Sequence, residues 1–143
     1  MADLETNNRF QIQLPEDWID QSVYIFNGPE AGGFHHNLSL VIDNGLSDDD
    51  LEAFAQERID AYLNATPAAE LLKNERKTFS NGTEAIEVVV KWVPTDNKVI
   101  FQKRVFMVID DVGYSFTANF TKQTIKTIGL QVDEMINSFS PGG

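Results

Sequence analysis

Cysteine is absent from the 143-residue sequence, which removes disulfides, thiolate metal ligands, a cysteine nucleophile and a lipoprotein anchor at once. Basic residues are scarce: 11 Lys and Arg stand against 22 Asp and Glu, a formal net charge of -11. Such a surface repels phosphate backbones and anionic lipid, so nucleic acid and direct membrane insertion are poor expectations. Long hydrophobic runs are missing too; none approaches the roughly 18 apolar residues of a membrane span. The segment Met1 to Asn8 carries acidic residues where a signal peptide needs basic ones, which predicts a cytoplasmic protein. Four tripeptides, starting at Asn37, Asn64, Asn81 and Asn119, match the glycosylation pattern and read as chance without an export signal. There is no Gly-x-Gly-x-x-Gly, no Gly-x-Ser-x-Gly and no His-Glu-x-x-His, and most carboxylates fall in turns or on helix faces. The expectation is a non-catalytic protein with no cofactor and no metal.

What the sequence does hold is strand pattern. Phe10, Ile12 and Leu14 alternate with Gln11 and Gln13, the period of a half-buried strand, and Pro15 ends it. Pro15 to Asp20 reads as a turn in which Trp18 and Ile19 tuck under the sheet edge, Trp18 serving as a packing anchor. From Val23 to Phe26 both faces are apolar, Val23 and Ile25 on one and Tyr24 and Phe26 on the other, so one face is covered or left open. Leu38, Leu40 and Ile42 share a single face of the next strand. Between them, Asn27 to Gly33 reads as a loop by composition. His35 and His36 are adjacent on extended chain, point to opposite faces and cannot chelate one ion together.

Ser47 reads as the N-cap of a helix over about Asp48 to Asn64, with three aspartates favouring its dipole and Leu51, Phe54, Ala55, Ile59, Tyr62 and Leu63 on one stripe. Asp43-Asn44-Gly45 and Asp48 to Asp50 lack calcium-loop spacing. Glu70 to Phe79 predicts an edge-like strand ending in the tight turn Ser80-Asn81-Gly82. A long hairpin follows, Thr83 to Val93 and Lys98 to Ile109 around Pro94 to Asn97, with Ile86, Val88, Val90 and Trp92 as core. After the turn at Asp110 to Gly113, Tyr114, Phe116, Ala118 and Phe120 make the last strand. Thr121 then caps a helix from Lys122 to about Phe139. The order predicts an α+β fold: an antiparallel β-sheet of about seven strands with two amphipathic helices packed mainly on one face. One domain over 1–143 is expected, with 1–8 and 140–143 frayed.

The pattern Arg9-Phe10-x-Ile12-x-Leu14-Pro15-x-x-Trp18-x-Asp20-Gln21-Ser22-Val23-x-Ile25-Phe26, followed by Leu38-x-Leu40-x-Ile42, resembles the Eag-type chaperones of bacterial type VI secretion. The acidic helix, the long hairpin with its Trp, the Gln102 to Phe106 segment and the C-terminal helix agree in order, so the resemblance covers most of the chain. PsbP-like and DcrB-like domains share that fold. The resemblance implies a homodimeric cytoplasmic adaptor that shields the N-terminal transmembrane helices of a secreted effector and helps load it on the secretion spike. It implies Val23 and Ile25 as client-binding residues, with Leu38, Leu40 and Ile42 as their partners. The alternative is a PsbP-like structural module whose aliphatic rows seal a dimer and bind no client. His35 and His36 take no role from the resemblance.

Overall fold

A computed structural model describes residues 3–6, 11–18, 21–44, 50–93 and 98–141. In chain order these form β1 (Asp3–Thr6), β2 (Gln11–Leu14), β3 (Gln21–Ala31), β4 (Phe34–Asp43), α1 (Leu51–Ala65), β5 (Glu70–Thr78), β6 (Glu84–Trp92), β7 (Ile100–Ile109), β8 (Val112–Phe120), a short 3-10 turn (Thr124–Lys126) and α2 (Ile128–Asn137). Six strands make one antiparallel sheet in the order β3-β4-β8-β7-β6-β5, and β1 pairs only with β2 in a separate ribbon. The class is the expected α+β one. Two features of the arrangement differ from expectation.

The first concerns layering. Alternation along a strand sends neighbouring side chains to opposite faces, and cross-strand partners share a face. Ile86, Val88, Val90 and Phe106 pack with Phe54, Ala55 and Ile59 of α1. Their neighbours Ala85, Val105 and Met107 pack with Ile128, Val132 and Ile136 of α2. The helices therefore sit on opposite faces rather than sharing one, because β6 and β7 carry apolar residues on both sides. Burying each large side chain contributes roughly 1.5–3 kcal/mol before ordering costs, so both layers hold the sheet.

The second concerns the first predicted strand. Ile12 and Leu14 do lie on a strand, β2, but it joins the ribbon and not the sheet. With no core beneath it, Trp18 is 65% exposed and Ile12 is 50% exposed, so Trp18 is not the packing anchor expected of it. Phe10 and Ile19 lie outside the described residues, as do Ser47 to Asp49, the 94–97 turn and the last two residues.

Local chemistry explains the remaining boundaries. The Asn27 to Glu30 stretch is strand and not loop: β3 runs on to Ala31 through a bulge between Asn27 and Glu30. Gly32 (φ 61) and Gly33 (φ 75) then supply the two left-handed residues that a tight hairpin needs. Helix α1 is capped by Asp50, whose carboxylate accepts from the Ala53 N–H at 2.7 Å, so the expected capping role of Ser47 belongs to Asp50. The Thr121 hydroxyl accepts from the Thr124 N–H at 3.1 Å and the Thr124 hydroxyl accepts from the Thr121 N–H at 3.0 Å. That reciprocal pair lies just ahead of the 3-10 turn, whose own N-cap, Gln123, makes no side-chain cap bond, and the helical segment predicted from Lys122 becomes a 3-10 turn followed by α2. β5 is an edge strand, as its weak pattern implied.

Candidate functional site

Helix α1 packs on β6 and β7, and the same face of β3, β4 and β8 carries no helix among the described residues. Register defines the floor that remains. One row crosses four strands as Ile25, Ser39, Thr117 and Arg104; the next runs Val23, Val41, Ser115 and Phe106. Val23 is 54% and Ile25 62% exposed at the outer edge, and the side chains farther in are small, branched or hydroxylated. Three strands at about 4.8 Å spacing present a strip roughly 10–14 Å wide. An α-helix with side chains is about 10–12 Å across.

The inner wall is α1. Arg58 bridges it to the sheet: its Nη2 donates to Asp43 at 3.0 Å, its Nη1 donates to the Phe54 carbonyl at 3.1 Å, and its guanidinium lies 3.7 Å over the Phe54 ring. Asp43 also accepts from Gln21 at 2.6 Å. Beside this satisfied pair, Arg104 lies 4.4 Å over the Tyr62 ring and donates from Nε to Gln102 at 2.7 Å. Burial pushes its guanidinium down from its ordinary value, and the charge interaction with Tyr62 opposes that only in part. The Ser115 hydroxyl is fully buried with no hydrogen-bond partner among the described residues. Arg58, Arg104, Ser115 and Thr117 line a cavity of about 300 Å³ together with Val41 and Ala61.

The structure does not bring the five expected client-binding residues together. Val23 and Ile25 belong to this open face. Leu38 pairs with Phe26, and Leu40 pairs with Tyr24, so both lie on the α2 side. Leu38 is 4% and Leu40 6% exposed, built into the core under α2, and Ile42 packs against the same cluster. The reason is parity: Val23 stands opposite Val41, an odd residue, while the expected row used the even ones. The partners that share the face of Val23 and Ile25 are Val41 and Ser39.

The sequence matches the DcrB family over residues 10–138. The chain belongs to the DcrB family. Among solved structures it is similar to a protein of unknown function from Pseudomonas aeruginosa, PA94, at 16% identity and a TM-score of 0.78, covering 99% of this chain and 98% of that one. No curated protein matches it. The DcrB-like fold expected from the resemblance is thus the fold of this chain.

The α2 side of this DcrB-family protein carries a second apolar surface. Tyr24 and Phe26, 46% and 50% exposed, face Met135 and Phe139 across a cavity of about 520 Å³ floored by Leu38, Leu40 and Phe116. The two histidines separate as expected. His35 is exposed and bridges Glu30 at 2.9 Å, whereas His36 is buried between the Pro29 carbonyl at 3.0 Å and the Thr124 hydroxyl at 2.8 Å. Since a carbonyl can only accept, Nδ1 carries a proton towards Pro29, and Nε2 shares a hydrogen bond with the Thr124 hydroxyl. This pins the β3-β4 hairpin to the start of the C-terminal helical segment. Among the described residues no three His, Asp or Glu side chains converge as metal ligands, and no helix is long and apolar enough to cross a membrane.

One charged feature escaped the sequence pattern altogether. The Glu87 side chain is 4% exposed and held by Lys73 at 2.7 Å and Lys77 at 3.3 Å, with Lys103 at 3.9 Å. Lys103 in turn binds Asp133 of α2 at 2.6 Å. Burial raises the Glu87 carboxyl, but the Lys73 hydrogen bond and the charges of Lys103 and Lys77 outweigh it and hold the group below its usual range. Lys73 and Lys77 lie on β5 and Lys103 on β7, either side of Glu87 on β6, so only strand register reveals the cluster.

Proposed function

We propose that this protein is a non-catalytic, cytoplasmic chaperone of the Eag type, which shields the N-terminal transmembrane helices of a type VI secretion effector and aids its loading on the secretion spike. The observation that carries the reading is the uncovered three-strand floor: it is as wide as one helix and surfaced with Val23, Ile25, Val41, Ser39 and Thr117. Small and branched side chains can approach the Gly and Ala face of a membrane helix closely, and that closeness is what packs helices in lipid. Covering the exposed half of Val23 and of Ile25 contributes about 1 kcal/mol each before association costs, so these two side chains are only part of the hold and the rest of the floor supplies the remainder.

The homodimer belongs to the same proposal. The outer edge of β3 carries one charged residue in eleven, Glu30, and four consecutive exposed apolar residues from Val23 to Phe26. The opposite edge, β5, is guarded by Glu70, Lys73, Glu75, Arg76 and Lys77. Pro29 and the bulge blunt only the far end of β3, and the uncharged stretch from Gln21 to Phe26, apolar from Val23 on, is the part suited to pairing with a second copy, which would join two floors side by side.

The test is co-expression with an N-terminal effector fragment containing candidate membrane helices, then purification without detergent and mass measurement. We expect a soluble complex with the wild type and none with a folded Val23→Gln/Ile25→Gln double variant. A complex that the double variant forms equally well would remove the floor as the client site. Recovery of a bare dimer with every fragment insoluble would favour the structural module without a client.

A further inference from the structure

We propose that the open floor selects a client helix that carries one carboxylate side chain, received by Arg104 at the inner end of the row Ile25, Ser39, Thr117 and Arg104. The proposal rests on the helix-shielding reading and adds what that helix must contain. Its ground is the terminal nitrogens of a guanidinium and a buried hydroxyl that lie side by side without acceptors or partners among the described residues. Arg58, Asp43 and Gln21 satisfy one another at the mouth of the cavity. Arg104 is partly buried on the Tyr62 ring, and its one hydrogen bond, to the neutral Gln102, comes from Nε. Its two terminal nitrogens therefore stand as a fork of donors without an acceptor among the described residues. A guanidinium fork is shaped to grip a carboxylate through two parallel hydrogen bonds. Close by, in the same 300 Å³ cavity, the Ser115 hydroxyl is buried without a partner and Thr117 offers a second hydroxyl.

Asp43 is committed to Arg58, and Glu57, the other carboxylate lining the cavity, sits on the exposed side of α1. The remaining floor is apolar or hydroxylated, so a helix laid on it excludes water from Arg104. An entering Leu would leave the guanidinium desolvated and unpaired, which is the costly state; an entering Glu would pair it. The floor thus favours a helix that membranes disfavour, since a lone carboxylate is expensive in lipid and needs a shield before delivery.

Three model helices test this, each an Ala/Leu/Gly segment of the same length fused to one soluble carrier protein, with Glu, Gln or Leu at the central position. Binding to the full-length protein is measured by fluorescence anisotropy in detergent-free buffer at neutral pH and fixed salt. We expect the Glu helix to bind about tenfold more tightly than the Leu helix, and the ratio to fall to about one in Arg104→Met. Arg104→Lys keeps the charge without the fork and should retain only part of the ratio. Equal binding of all three helices to the wild type overturns the proposal and leaves the helix-shielding reading standing. A Glu preference that persists in a folded Arg104→Met variant overturns it as well. Failure of every helix, Leu included, overturns both.

Discussion

Replacing Glu87 by Gln removes the negative centre of the buried cluster while keeping its shape. Breaking a buried ion pair by deleting one partner typically costs roughly 3–5 kcal/mol. Here the figure must be discounted, because the Lys73 and Lys77 side chains are 40% and 41% exposed and can turn to solvent once their partner is gone. Lys103 cannot, at 11% exposure, yet it keeps Asp133 at 2.6 Å. The expected loss at neutral pH is therefore about 1–2 kcal/mol, which for a chain of this size lowers Tm by roughly 2–8 °C. The pH dependence follows from the sign of the shift. The folded carboxyl titrates below its unfolded value of about 4.3, so the contribution is full above that pH and is lost as pH falls through the folded value. Urea denaturation of wild type and Glu87→Gln from pH 7 down to pH 3 should show a gap that is constant near neutrality and narrows in acid. A gap that stays constant through pH 3, or a variant more stable than wild type at pH 7, would refute the role given to the three lysines.

Other expected outcomes come from the same structure. Thr124→Val leaves His36 Nε2 and the Thr121 N–H without partners, and should cost about 1–3 kcal/mol in chemical denaturation; a cost below about 0.5 kcal/mol would mean the bridge between hairpin and helix contributes little. Asp110 (φ 51) and Asp111 (φ 63) hold left-handed conformations in the β7-β8 turn, so Asp111→Gly should raise Tm by a few degrees, and a fall in Tm would count against strain at that position. If β3 pairs with a second copy as proposed, sedimentation should find the wild type dimeric and Ile25→Lys, which places a charge on that edge, monomeric; a monomeric wild type or a variant that remains dimeric would remove β3 as the contact.

Most of the elements were legible in the sequence because they depend on local periodicity. The alternation of Ile86, Val88 and Val90, the stripe from Leu51 to Leu63, the Ser80 to Gly82 turn and the edge character of Glu70 to Phe79 each follow from residues within a few positions of one another. The two-sided apolar pattern from Val23 to Phe26 was equally visible, and the structure exposes all four. The misplaced capping residue and the split C-terminal helix are boundary matters, in which competing caps one to three residues apart differ by little energy.

What only the tertiary structure decided is which of these rows meet. Parity within one strand is a local property, but the parity of Val23 relative to Leu40 depends on the length of the β3-β4 hairpin and the bulge at Asn27 to Glu30, and one residue of slip exchanges the faces. That is why Leu38, Leu40 and Ile42 joined the α2 core and Val41 and Ser39 joined Val23 and Ile25. The opposite placement of α1 and α2 has the same origin, since a stripe on a helix does not say which side of a two-faced sheet it will cover. Lys73, Lys77 and Lys103 meet Glu87 only through the register of β5 and β7 on β6, Arg104 comes beside Ser115 through the pairing of β7 with β8, and it meets Tyr62 only because α1 packs across β7. Residue types and their local rhythm determined the parts of this protein; strand register, a property of the whole sheet, determined which side chains share a surface.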